Sequence, residues 1–215
     1  MVNICGIDEA GRGPVIGPLV IAGTLIEETK LEKLKKIDVK DSKLLSIKKI
    51  HELAPKIKRI CKYEIIVIKP GEIDDILNSD SSNLNWLEAE KAIEIIKKLK
   101  PDKVIVDSPS PNLRAYKDYL DSFLKDKKID VIVSHKAEKF EIVAAASILA
   151  KDRREKEMDK IKKKYGETGP GYMSNKITQK FLKENYKKHP EIFRRSWIPY
   201  KKLVEEDNNM KLGEF

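Results

Sequence analysis

Apolar positions along the 215-residue chain follow two periods. Residues 2–8 (VNICGID), 19–26 (LVIAGTLI) and 62–68 (KYEIIVI) are apolar and partly β-branched, which predicts strands. Residues 103–107 (KVIVD) and 130–134 (DVIVS) repeat the pattern in shorter form. Between the first two strands, 9–18 (EAGRGPVIGP) holds three Gly and two Pro and predicts a loop, the link of a wide hairpin. Helical spacing appears over 46–61, where Ile47, Ile50, Leu53, Ile57 and Ile60 share a face. Ser46 is its candidate N-cap and Pro55 a candidate kink. A second helix is predicted over 83–99, capped by Ser82 or Asn83 and stopped before Pro101. A third covers 111–125, with Leu113, Tyr116, Leu120 and Phe123 or Leu124 on one side. A long helix over 140–164 opens with the small-residue run VAAAS.

Early strands predict an antiparallel meander, and the later helix–strand alternation predicts parallel packing. Together they predict an α/β fold with a mixed central sheet flanked by helices. The last 50 or so residues read as helical and basic, with 166–171 (GETGPG) as a candidate hinge. The expected organisation is a catalytic domain over 1–165, a helical substrate-binding region over 166–207 and a flexible tail over 208–215.

Charge sharpens this picture. Lys and Arg number 44 against 35 Asp and Glu, a formal net of +9. Residues 151–202 hold 17 of the basic and 7 of the acidic side chains, a local +10, while the remainder sums to −1. A stretch so basic fits either a polyanionic partner, nucleic acid first, or a solvated Lys-rich face. Arg153, Arg154, Arg194 and Arg195 lie in it, and Tyr165, Tyr172, Tyr186, Trp197 and Tyr200 are rings that either stack on sugars and bases or pack in a core. Two Cys, Cys5 and Cys61, exclude a disulfide framework or a four-Cys zinc site. No apolar run approaches the roughly 20 residues of a membrane span, and no secretory leader is visible. The expectation is a soluble cytoplasmic protein that makes no membrane contact.

Three acids stand where apolar strands end: Asp8, Glu9 and Asp107. Strand ends are where sites in open sheets gather. Clustered carboxylates repel unless a cation neutralises them, and hard divalent cations prefer oxygen ligands. Asp8 and Asp107 are therefore either turn and cap residues or part of an acidic metal site. Beside a basic surface, such a site is the pattern of a metal-dependent nuclease.

Six ordered blocks then resemble one family. GIDEAGRGPVIGPLV at 6–20, DSKLL at 41–45, VDSPS at 106–110, KAEKFEIVAAASILAKDRRE at 136–155, GPGYMSN at 169–175 and RRSWIPYKKL at 194–203 are similar to the type 2 ribonuclease H family, specifically ribonuclease HII, in its archaeal form. The resemblance implies a ribonuclease H-like fold with a helical C-terminal region. It implies hydrolysis of the RNA strand of RNA–DNA hybrids and incision at ribonucleotides embedded in duplex DNA. It also implies four carboxylates with Mg²⁺ or Mn²⁺: Asp8, Glu9, Asp107 and, where the family has Asp, Glu138. Glu141, Asp152 and Glu155 are the alternatives for the fourth ligand. The expected chemistry is two-metal hydrolysis leaving a 3′-hydroxyl and a 5′-phosphate. A binding protein without catalysis is the rival reading, with Glu138 marking lost metal.

For substrate contacts, the resemblance points to the backbone of Gly11, Arg12 and Gly13 at the 2′-hydroxyl, with Arg12 near a phosphate. It places the Tyr172 ring on the neighbouring sugar and Lys43 on a phosphate. Arg194 and Arg195 either bind the phosphate backbone or pair with acids of the fold. The tail approximates a sliding-clamp motif through Asn209, Leu212 and Phe215, or is disordered. A monomer is expected.

Overall fold

The computed structural model describes residues 1–39, 45–79, 82–125 and 128–212, and structural statements below concern these. Strands β1 (Asn3–Ala10) and β2 (Leu19–Glu27) come first. Helices α1 (Glu32–Lys36) and α2 (Ile47–Ile60) precede β3 (Lys62–Ile68). Then follow α3 (Pro70–Leu77), α4 (Leu84–Leu99), β4 (Lys103–Asp107), α5 (Leu113–Leu124) and β5 (Asp130–Ser134). A 3-10 turn (Ala137–Lys139) leads into α6 (Glu141–Tyr165), and α7 (Lys176–Asn185) and α8 (Ile198–Leu212) complete the chain.

The sheet order is β3-β2-β1-β4-β5. β1 runs antiparallel to β2 and parallel to β4, and β4 runs parallel to β5. The mixed sheet predicted from the pattern is therefore present, with β1 as its middle strand. Caps follow local chemistry. The Ser46 hydroxyl accepts from Lys49 N–H at the start of α2, and Asn83, not Ser82, caps α4 by accepting from Asn85 and Trp86 N–H. Pro55 sits inside a continuous α2.

Three features depart from the pattern. β1 continues through Glu9 and Ala10, which pair with Ile21 and Val20, so the loop begins only at Gly11. Pairing along β2 carries the ladder past Asp8 to Ala10. Helices α1 and α3 are both short and were not expected. Yet Pro70 at the first helical position and Glu72 accepting from Lys69 N–H are helix-start signals. Finally, α8 runs to Leu212, into the segment expected to be a tail. Among the described residues no helix is long and apolar enough to cross a membrane.

The chain groups into two compact units. The first comprises 1–10, 20–67 and 83–154, and the second 11–19, 68–82 and 155–215. In the first, Ile4, Val20, Ala22, Leu53, Ile57, Ile105 and the run from Ile142 to Ala150 supply core side chains. The small residues of α6 have a geometric purpose. A Cβ on Gly6 of β1 would stand 2.4 Å from the carbonyl carbon of Ile142, so helix and strand backbones nearly touch. Thr24 Oγ1 donates to Ile142 O at 2.7 Å, tying the same helix start to β2.

The second unit has its own core of Val15, Ile16, Met158, Phe181, Leu182, Ile192, Phe193 and Tyr200. Residues 15–17 are threaded by backbone bonds. Val15 N–H donates to Gly171 O, Gly17 N–H to Ile192 O, and Arg194 N–H to Val15 O. Ile16 forms an antiparallel bridge with Phe193.

The contact at Gly6 yields a prediction. Gly6→Ala must push α6 off β1, and overpacking of this kind costs about 3 kcal/mol. Urea unfolding should show a clearly lowered midpoint; an unchanged midpoint would refute the close helix–strand approach.

Candidate functional site

The parallel pairing of β1 with β4 brings two strand ends side by side, and each ends in acid. Asp8 is buried near the end of β1, and Asp107 is half-buried as the last residue of β4. The third acid comes from the turn after β5. Asp107 Oδ1 accepts the backbone N–H of Ala137 at 2.8 Å, which docks that turn onto β4. Lys136, just before it, takes a left-handed φ of 53°, a conformation that costs a non-glycine residue roughly 1 kcal/mol. The result is delivery of Glu138, itself buried, to the other two. One carboxylate oxygen from each of Asp8, Asp107 and Glu138 lies within 4.8 Å of the others.

Asp8 is the most constrained of the three. Its Oδ1 accepts Glu9 N–H at 2.7 Å. Its Oδ2 is buried with no hydrogen-bond partner. Burial holds its carboxyl well above the usual carboxylate range, and the charges of Glu9 and Asp107 add to the shift. The Ser147 hydroxyl and the Glu9 N–H oppose it by favouring the charged form. Ser147 lies buried in the small-residue run of α6, and no sequence signal singled it out. Such a site fits a hard divalent cation. All donors are carboxylate oxygens, and a buried oxygen without a partner is a ligand in waiting.

The other expected acids lie elsewhere. Glu9 is half-buried on β1, outside the trio, and acts on Asp8 through its charge. Asp152 is buried against His51 Nδ1 at 2.8 Å and Lys58 Nζ at 3.7 Å. Glu141 starts α6 with Lys35 Nζ at 4.0 Å. Glu155 belongs to the second unit.

Within the second unit, loop 11–13 is shaped by residues far along the chain. Gly11 has φ +87°, open to glycine at no steric cost. Arg194 Nη2 donates to Gly11 O at 2.5 Å, Nη1 to Arg12 O at 2.8 Å, and Nε to Gly17 O at 3.1 Å. Its guanidinium lies 4.8 Å from the Trp197 ring, whose Nε1 donates to Gly13 O at 3.2 Å. Arg194 was expected either on the phosphate backbone or paired with acids of the fold, and these bonds are to backbone carbonyls instead. The side chain is fully buried, and each of its nitrogens donates to a carbonyl. Arg195 keeps half its side chain exposed, with Nε 3.5 Å from Asp74. Gly13 is exposed, and a Cβ there would lie 3.8 Å from the Tyr172 ring, itself exposed. Lys43 and Phe215 lie outside the described residues, as does the side chain of Leu212; Asn209 lies on α8.

Sequence reading missed Asp74. This buried acid on α3 accepts Arg195 N–H, Ser196 N–H and the Ser196 hydroxyl. Recognising the Pro70 helix start would have placed it on a short helix, though not shown what it holds. The sequence marks Trp197 only as a ring, and the structure uses both its ring and its N–H.

Comparison with known proteins follows the same lines. A family model described as Ribonuclease HII matches residues 5–200. A Ribonuclease HII of Pyrococcus horikoshii is 41% identical over 223 residues, spanning 100% of this chain and 99% of its own length. Among solved structures, the ribonuclease H2 of Pyrococcus horikoshii OT3 superposes with a TM-score of 0.86 at 41% identity, covering 95% of this chain and 98% of that one. The RNase HII in a complex with PCNA from Archaeoglobus fulgidus gives 0.83 at 38%, covering 92% and 95%. These likenesses make the mixed sheet and its helices a ribonuclease H-like fold.

The raised pKa of Asp8 has a testable sign. A group whose folded-state pKa is raised contributes stability at low pH and loses it as pH rises through the folded value. Without metal, Asp8→Asn should therefore raise Tm at neutral pH, by about 2–4 °C per kcal/mol relieved. The difference from wild type should shrink as pH falls below the range in which Asp8 ionises. A lower Tm for Asp8→Asn in metal-free buffer would refute a net cost of burying the Asp8 charge.

Proposed function

The chain belongs to the ribonuclease HII family of metal-dependent endoribonucleases, and on that premise we propose that it cuts the RNA strand of RNA–DNA hybrids and incises duplex DNA at embedded ribonucleotides. The convergence of Asp8, Asp107 and Glu138 carries the reading. These three would hold Mg²⁺ or Mn²⁺, with Glu9 completing the acidic set. Divalent cations held there would supply two-metal chemistry: a water of lowered pKa and charge neutralisation at the scissile phosphate and leaving 3′ oxygen. The side chains of the chain itself bind and orient. Asp107 holds the 137–139 turn that carries the buried Glu138. Ser147 and Glu9 N–H favour the ionised form of Asp8, the form that ligates a cation. Products would carry a 3′-hydroxyl and a 5′-phosphate.

Discrimination must rest on the 2′-hydroxyl, since that is what distinguishes the substrate nucleotide. Loop 11–13 is the proposed reader, with Tyr172 against the adjacent sugar and Arg12 on a phosphate. The closeness of Gly13 to the Tyr172 ring supports pairing these two parts in one role. Lys43 and Arg195, the latter with an exposed side chain, would add backbone contacts. The basic region over 166–207 would grip the duplex, with 1–165 as the catalytic part. By analogy with the complex named for the Archaeoglobus protein, the end of α8 and the residues after it (Asn209, Leu212 and Phe215) would dock a sliding clamp.

The test is incubation with Mg²⁺ or Mn²⁺ and a DNA duplex holding one ribonucleotide. Incision at that nucleotide is expected. Binding without any incision would leave a silent binding protein instead. Glu138→Gln should lower the rate by about 100-fold or more while substrate affinity stays nearly unchanged. A rate close to wild type would move the fourth ligand to Glu141, Asp152 or Glu155.

A further inference from the structure

Arg194 is among the largest fully buried side chains of the described residues, and nothing in the proposed chemistry uses it directly. A buried guanidinium is expensive unless its donors are matched. Here they are matched by backbone carbonyls alone: Gly11, Arg12 and Gly17. Trp197 adds a fourth fixed carbonyl, Gly13. Four carbonyls within seven residues are thus held from one short segment.

Fixing a carbonyl fixes its peptide plane. A trans peptide holds N–H opposite C=O, and the described residues contain no cis bond. With Gly11 O and Arg12 O turned onto the guanidinium, the N–H groups of Arg12 and Gly13 must face the other way. Gly13 is exposed on that loop. The anchor is itself anchored. Asp74 accepts Arg195 N–H at 2.8 Å, Ser196 N–H at 2.9 Å and the Ser196 hydroxyl at 2.5 Å, pinning the two residues after Arg194. Arg194 N–H donates to Val15 O at 2.9 Å on the other side.

We infer that Arg194, backed by Trp197 and Asp74, is a positioning residue that presets the loop peptides of 11–13 to present their N–H groups to the ribose. This rests on the reading of that loop as the 2′-hydroxyl reader. Lys cannot replace Arg here, because a point charge cannot satisfy three carbonyls arranged around a planar fork.

The test compares wild type, Arg194→Lys, Trp197→Phe and Gly11→Ala on a duplex with one ribonucleotide. An all-DNA duplex of the same sequence serves as competitive inhibitor. Its inhibition constant reports grip on the duplex, and kcat/KM on the ribonucleotide substrate reports reading of the sugar. Tm checks folding. Arg194→Lys should lower kcat/KM about 10- to 100-fold, the scale of small misplacements, with the all-DNA constant unchanged within about twofold. Trp197→Phe, which keeps a ring over the guanidinium and loses one donor, should lower it less and in the same selective way. It decides the matter if Arg194→Lys does not fold. Gly11→Ala tests the loop itself. If Gly11→Ala falls selectively while Arg194→Lys and Trp197→Phe match wild type, the positioning role is overturned and the loop reading stands. If Gly11→Ala keeps full kcat/KM, the loop reading fails and the inference with it. A parallel loss of kcat/KM and all-DNA binding in Arg194→Lys would also overturn it, making Arg194 a general structural residue.

Discussion

Three carboxylates crowded together, two of them buried, must either take up protons or hold a cation between them. Asp8, Asp107 and Glu138 offer oxygens within 4.8 Å of one another, and Asp8 and Glu138 are buried. Like charges so close, away from water, raise one another's pKa or recruit a cation. The protein spends structure to hold them there. β1 and β4 are neighbours in parallel, a left-handed Lys136 turns the chain after β5, and Asp107 clasps that turn through Ala137 N–H. α6 is pressed onto β1 at Gly6, which also brings Ser147 to Asp8. These features converge on the same three carboxylates.

The sheet was legible because its signal is periodic. Five apolar runs predicted five strands, and the change from consecutive strands to alternation predicted mixed pairing. Asp8 and Asp107 were legible for a related reason: an acid ending an apolar strand has few places to go. Glu138 was harder. No local pattern marks it, and only the resemblance of Lys136-Ala137-Glu138 to a family block raised it above Glu141, Asp152 and Glu155. In the structure the trio within reach of one cation is Asp8, Asp107 and Glu138. Asp152 is already compensated by His51 and Lys58, a pairing 101 and 94 positions away in sequence that no window could see.

The partners of Arg194 were hidden for the same reason, their distance in sequence. In a basic segment, an Arg looks like a phosphate ligand. Its partners, the carbonyls of Gly11, Arg12 and Gly17, carry no side-chain signature at all. Charge counting located a region of excess cations near the C-terminus. It could not separate the cation that shapes a loop from those that face a duplex. Asp74 shows the complementary case, an acid used to hold backbone N–H groups and not a metal.

The account turns on a cation held by Asp8, Asp107 and Glu138, and a crystal soaked in Mn²⁺ measures that directly. Anomalous density should appear with oxygens of Asp8 and Glu138 at about 2.2 Å, close to the octahedral distances of small divalent cations. Density bound instead by Asp152 or Glu155, or a metal position that Glu138 does not touch, would contradict it.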